Sequence, residues 1–223
     1  MVDYAFLKDC QERESVMDLF IDGKVGLLEA RYSEAASVTG VTAVLCHPHP
    51  QFGGTMNDLV LGALEPALLA SGISSLRFNF RGVGGSEGRY NDGEGEIDDV
   101  VAATTWVRER SVGERIMLVG YSFGGAVALS AQERVAPESM ILVAPAVGMF
   151  GQQRPPTAPT LVILAENDQF VNADSTKGWF GDPNTRVEQM LDTDHFFIGH
   201  HEQITNIVRE FLVTTLIGST PGL

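Results

Sequence analysis

Two stretches of the chain hold a serine between glycines at the spacing Gly-x-Ser-x-Gly: Gly120-Tyr121-Ser122-Phe123-Gly124 and Gly84-Gly85-Ser86-Glu87-Gly88. A serine in this pattern can attack an acyl carbon when it stands at the apex of a sharp strand-to-helix turn. Small neighbours must then admit the backbone, and the helix amino terminus must offer its N–H groups. Ser122 has that setting. "RIMLVG" before it reads as a buried strand, and the run Phe123–Val135 reads as a helix whose Gly124, Gly125, Ala126 and Ala128 permit close packing. Ser86 lies in "GVGGSEGRYNDGEGE", where no helical run directly follows the serine, so it reads as a flexible or ligand-rimming loop. Ser122 is the candidate nucleophile.

A serine hydroxyl is a weak nucleophile and needs a base, which in turn needs a carboxylate to orient it. Of the five histidines, His195 lies in "LDTDHFFIGH" just past the last expected strand, whereas His200 and His201 begin the final expected helix. Asp168 lies just past the strand in "TLVILAENDQFV". The competing carboxylates are Glu166, Asp174, Asp192 and Asp194, of which Asp192 and Asp194 also read as turn formers and Asp174 as a helix cap. The order Ser122, Asp168, His195 is the chain order of a nucleophile-elbow hydrolase.

These groups need a scaffold that brings strand ends together. The first part of the chain predicts a β-hairpin, "SVMDLFID" and "VGLLEARY", turning at Gly23. Apolar runs then alternate with helical spacing: strands at Val41–His47, Ser74–Phe80, Arg115–Gly120, Ser139–Pro145, Thr160–Glu166 and Arg186–Leu191; helices at Met56–Ala70, Glu94–Arg110, Phe123–Val135, Ala173–Phe180 and Glu202–Leu216. Apolar strands separated by helices imply an α/β fold: a mostly parallel sheet covered on both faces, with functional groups at the carboxyl ends of its strands.

On these residues the chain resembles the α/β-hydrolase superfamily over nearly its whole length. "LCHPHPQFGGTMND" and "NFRGVGGSEG" resemble a small bacterial subgroup with a His-Pro-His-Pro loop followed by Gly-Gly and Thr-Met-Asn. The subgroup often has Asn and Lys where this chain has Asp58 and Leu59. The resemblance implies a single α/β-hydrolase domain over 1–223 and an oxyanion hole with one donor from the N–H of Phe123. The second donor should come from the loop after Val41–His47. Pro48 and Pro50 lack an N–H, which leaves His49, Gln51 and Phe52, with His49 and Gln51 the leading pair. Lidded relatives insert their cap after the strand at 139–145. Here only "AVGMFGQQRPPTAP" stands there, so no large lid and an open site are expected. Phe52, Met149 and Phe150 are candidates to line the substrate pocket, the latter two being equally able to pack their loop down.

His47-x-His49 lacks the remaining ligands of a metal site, with Gln51 and Phe52 where Asp and His would be needed, so no metal or cofactor is expected. The net charge of −14 disfavours nucleic acid and anionic membrane surfaces as partners. The amino-terminal residues show no secretory pattern, and Cys10 and Cys46 read as free thiols of a reducing, cytoplasmic compartment. The expected activity is cleavage of small-molecule carboxylic esters through an acyl-enzyme, with thioesters or small amides as the alternative. A non-catalytic binding module on the same fold is the other class.

Overall fold

The computed structural model describes residues 15–110, 114–151 and 153–217; Cys10 lies outside them. Strands β1 (Ser15–Gly23) and β2 (Gly26–Glu34) pair antiparallel from Ser15 opposite Glu34 to Gly23 opposite Gly26. The hairpin therefore turns at Lys24 and Val25 rather than at Gly23. The remaining strands are β3 (Val41–Cys46), β4 (Ser74–Phe78), β5 (Arg115–Tyr121), β6 (Ser139–Val143), β7 (Thr160–Ala165) and β8 (Thr185–Met190). They form one eight-stranded sheet in the order β1-β2-β4-β3-β5-β6-β7-β8. β2 meets β4 antiparallel, and β4, β3, β5, β6, β7 and β8 run parallel.

Every residue of β3, β6 and β7 is buried, because helices cover both faces. One face carries Val44, Cys46, Leu118, Leu142 and Leu164 against helices α2 (Glu94–Arg110) and α3 (Phe123–Val135). The other carries Ala43, Leu45, Val119, Ile141 and Ile163 against α1 (Leu59–Ala70) and α5 (His201–Ile217). A strand buried on both sides needs apolar residues at every position, which is why these runs show no polar alternation. A short helix, α4 (Ala173–Trp179), follows β7.

Local chemistry sets the helix starts. α1 begins at Leu59 rather than Met56 because the Asp58 carboxylate accepts the N–H groups of Val60 and Leu61, capping the helix there. The buried Glu96 carboxylate accepts the N–H groups of Asn91 and Gly93, closing the turn that opens α2. α4 is capped by Asn172, and Asp174 stands in its first turn. A buried pair between Arg81 and Asp99 pins the loop after β4 to α2.

The chain passes from β3 to β4 on one side and returns to β5 on the other. The loops leaving β3 and β5 thus part in opposite directions and open a crevice at the carboxyl edge, the usual place for a ligand in such sheets. The β6–β7 connection, residues 144–159, carries no helix among the described residues. No helix among the described residues is long and apolar enough to cross a membrane.

Candidate active site

Ser122 sits between β5 and α3 with φ 54° and ψ −116°, a conformation that side-chain-bearing residues rarely adopt. The turn around it leaves no room for bulk. A Cβ on Gly120 would lie 2.5 Å from the Gly124 carbonyl oxygen, and one on Gly124 would lie 2.1 Å from that of Cys46. The serine is held by backbone: its N–H donates to Val143 O at 2.9 Å, and its carbonyl accepts from Ala126 and Ala146. Its hydroxyl lies 3.0 Å from His195 Nε2.

His195 stands in the loop after β8, 5% exposed, and its backbone carbonyl accepts a 2.9 Å hydrogen bond from the buried Tyr121 hydroxyl. Its Nδ1 lies 2.6 Å from Asp168 Oδ2. The other oxygen of Asp168 accepts the N–H groups of Phe170 and Val171, both at 2.8 Å, so the carboxylate is fixed from three directions. Asn167 N–H to Thr193 O at 2.9 Å ties the Asp168 loop to the His195 loop. With Nδ1–H donating to the carboxylate, Nε2 is left to accept a proton from Ser122. The result is an unbroken hydrogen-bonded chain at the carboxyl ends of β5, β7 and β8, with the parts that general-base activation of a hydroxyl requires.

Solved structures similar to this chain share its fold. A serine hydrolase without lid from Xanthomonas campestris is 32% identical, with a TM-score of 0.86, covering 93% of this chain and 97% of that one. The chain belongs to the α/β serine hydrolase family. A homologue from Coxiella burnetii is also 32% identical, with a TM-score of 0.82 over 87% and 96% of the two chains. An uncharacterised protein of Rickettsia prowazekii is 30% identical over 210 residues, 88% of each chain. A family model described as serine aminopeptidase, S33, matches residues 59–158, a span that includes Ser122 and stops before Asp168 and His195.

In this hydrolase a cavity of about 480 Å³ opens above Ser122 and His195, lined by Phe52 and Met149 among the residues expected there. Phe150 is not part of it. Its ring seats against Gly93, where any Cβ would collide at 2.3 Å, and meets Phe123 edge-on at 5.3 Å. Phe150 packs the β6–β7 loop down and lines a separate hollow with Asp92 and Ile97.

The loop after β3 makes a single 3-10 turn, Pro50–Phe52, closed by Gly53 in the left-handed conformation at φ 86°. Within it Gln51 N–H donates to His49 Nδ1 at 3.2 Å and Phe52 N–H to His49 O at 3.1 Å. Both N–H groups are thus engaged inside the loop, which corrects the expectation that Gln51 could serve as an oxyanion donor. No acceptor among the described residues meets the N–H of His49 or of Phe123, and both residues line the cavity. Because His49 Nδ1 accepts from Gln51, its Nε2 carries the hydrogen and donates to the Tyr90 hydroxyl at 3.2 Å.

His47 is wholly buried and knits the same loop to the end of β4. Its Nδ1–H donates to Pro48 O at 2.6 Å and its Nε2 accepts Phe80 N–H at 3.0 Å. Burial lowers its pKa to about 4, from 6.5. The unfolded chain therefore binds more protons between these values, and stability present above pH 6.5 is lost as pH falls toward 4. We expect His47 to account for about 2 kcal/mol of lost stability between pH 7 and pH 5. Urea unfolding at both pH values should show an acid loss smaller by that amount in His47→Gln; an unchanged acid loss would contradict it.

Ser86 is anchored by hydrogen bonds and does not line the cavity. Its hydroxyl donates to Asn79 O at 2.7 Å and accepts Glu29 N–H at 2.9 Å, stapling the glycine-rich loop to β2. His200 precedes α5 and His201 begins it, and neither makes a hydrogen bond to Ser122 or Asp168 among the described residues. Phe170, Phe196, Tyr121 and Asp58 also line the cavity, and sequence reasoning did not place them there. Three of them had a signal: Tyr121 precedes Ser122, Phe196 follows His195, and Phe170 is two residues beyond Asp168.

Proposed function

We infer that this chain hydrolyses carboxylic esters through an acyl-enzyme formed on Ser122. His195 Nε2 takes the Ser122 proton as Oγ attacks the ester carbonyl, and Asp168 holds the imidazole in its Nδ1–H tautomer and stabilises the imidazolium. The oxygen anion forms against the N–H groups of Phe123 and His49, which meet no acceptor among the described residues. His195 then protonates the departing alkoxide, the alcohol leaves, and water repeats the attack on the acyl-enzyme with the same base. The observation that carries this reading is the hydrogen-bonded chain from Asp168 through His195 to Ser122, at 2.6 and 3.0 Å. The short β6–β7 connection leaves the cavity open, which suits small or extended substrates better than a long buried chain.

Thioesters and small amides use the same groups, and the match to a serine aminopeptidase model keeps amides in view. Acyl-matched oxygen esters, thioesters and anilides distinguish them by kcat/KM. The expected order puts the oxygen ester within a hundredfold of the thioester and well above the amide. A preference of a hundredfold or more for sulfur, or any preference for the amide, would overturn the ester assignment.

A further inference from the structure

The cavity above Ser122 is walled by aromatic rings: Phe52, Phe170 and Phe196 at its mouth, Phe123 and the His49 imidazole deeper. Aromatic faces attract cations, most strongly where water is excluded. Among the described residues that line the cavity there is no Lys or Arg, and one carboxylate, that of Asp58. Its Oδ1 caps α1, but Oδ2 has no hydrogen-bond partner among the described residues. Burial raises the Asp58 pKa above the usual carboxylate value, and after burial the Asp58 charge in turn helps raise that of Tyr121, which lines the same cavity. A half-buried carboxylate with an unclaimed oxygen, lining one cavity with several aromatic residues and the nucleophile, has the composition of an ammonium site rather than of a plain apolar pocket.

Resting on the ester reading above, we propose that Asp58 gives this hydrolase a preference for esters that carry a positively charged ammonium group a few atoms from the scissile carbonyl. Asp58 and the surrounding rings hold the cation while Ser122 attacks. Asp58 takes no part in proton transfer; it sets which substrates are bound productively.

The test uses two isosteric pairs that differ only in charge. On the alcohol side these are 2-(trimethylammonio)ethyl acetate and 3,3-dimethylbutyl acetate. On the acyl side they are phenyl 4-(trimethylammonio)butanoate and phenyl 5,5-dimethylhexanoate. The readout is the cationic-to-neutral ratio of kcat/KM within each enzyme, corrected for the ratio of hydroxide rates. Asp58→Asn retains a good helix cap while removing the charge, and Asp58→Ser does so with a different side chain should the first variant fold poorly. In at least one pair, the wild-type ratio should exceed that of the uncharged variants by tenfold or more, about 1.4 kcal/mol. A smaller change in both pairs would overturn the proposal. If the neutral esters are hydrolysed only when Ser122 is present but charge gives no advantage, this inference alone fails. If Ser122→Ala matches wild type on every compound, the ester reading fails with it.

Discussion

Ser122→Ala is expected to lower kcat/KM on any accepted ester by about 10^6-fold, the loss seen when the nucleophile of such a unit is removed. Residual turnover would come from binding and from the N–H groups of Phe123 and His49, which stay in place. The loss is attributable to chemistry rather than to folding because, among the described residues, the hydroxyl meets only His195 Nε2. The turn itself is built by the close approach of Gly120 to Gly124 and of Gly124 to Cys46, contacts that alanine at position 122 leaves untouched. Alanine also keeps the Cβ that already occupies the φ 54° conformation. Steady-state kinetics beside a thermal melt will separate the two: the account requires a collapse in rate with a melting temperature within a few degrees of wild type.

Asp168→Asn should cost about 10^4-fold in kcat with little change in KM. The replacement is nearly isosteric, and its carbonyl oxygen can go on accepting the Phe170 and Val171 N–H groups that now meet Oδ1. That leaves an NH₂ group facing His195 Nδ1, where the 2.6 Å contact requires an acceptor. Two donors cannot face each other, so the imidazole takes the other tautomer, with its hydrogen on Nε2, and can no longer accept the Ser122 proton. Combining Asp168→Asn with Ser122→Ala should add almost nothing to the serine variant, because both disable one unit. Multiplied losses in the double variant would mean that Asp168 acts on something other than the serine.

Legibility in the sequence followed the range of the interactions involved. Ser122 and Asp168 each lie just past an apolar strand and His195 past the more polar β8, and in a parallel sheet these strands end at one edge, so local pattern was enough to single them out as candidates. The β-hairpin and the alternation of strands and helices were readable for the same reason, with errors of one to three residues where a side chain such as Asp58 caps a helix. The loop after β3 was not resolvable. Whether His49 or Gln51 offers its N–H depends on the His49 ring turning back to accept Gln51, which no spacing reveals. The anchoring of the Ser86 loop, read from its glycines as flexible or ligand-rimming, was not legible because one partner that holds it is Glu29, 57 residues earlier on β2. The direction of Phe150 likewise depends on a vacancy at Gly93, distant in sequence.

The central claim is that one hydroxyl, that of Ser122, performs covalent chemistry. Incubation with an alkyl fluorophosphonate followed by intact-mass and peptide mass spectrometry tests it most directly. The account predicts a single phosphonyl adduct on the peptide containing Ser122, formed rapidly in wild type, absent in Ser122→Ala and greatly slowed in Asp168→Asn. No adduct on the wild-type protein, or an adduct that persists at another residue such as Ser86 when Ser122 is replaced, would contradict it.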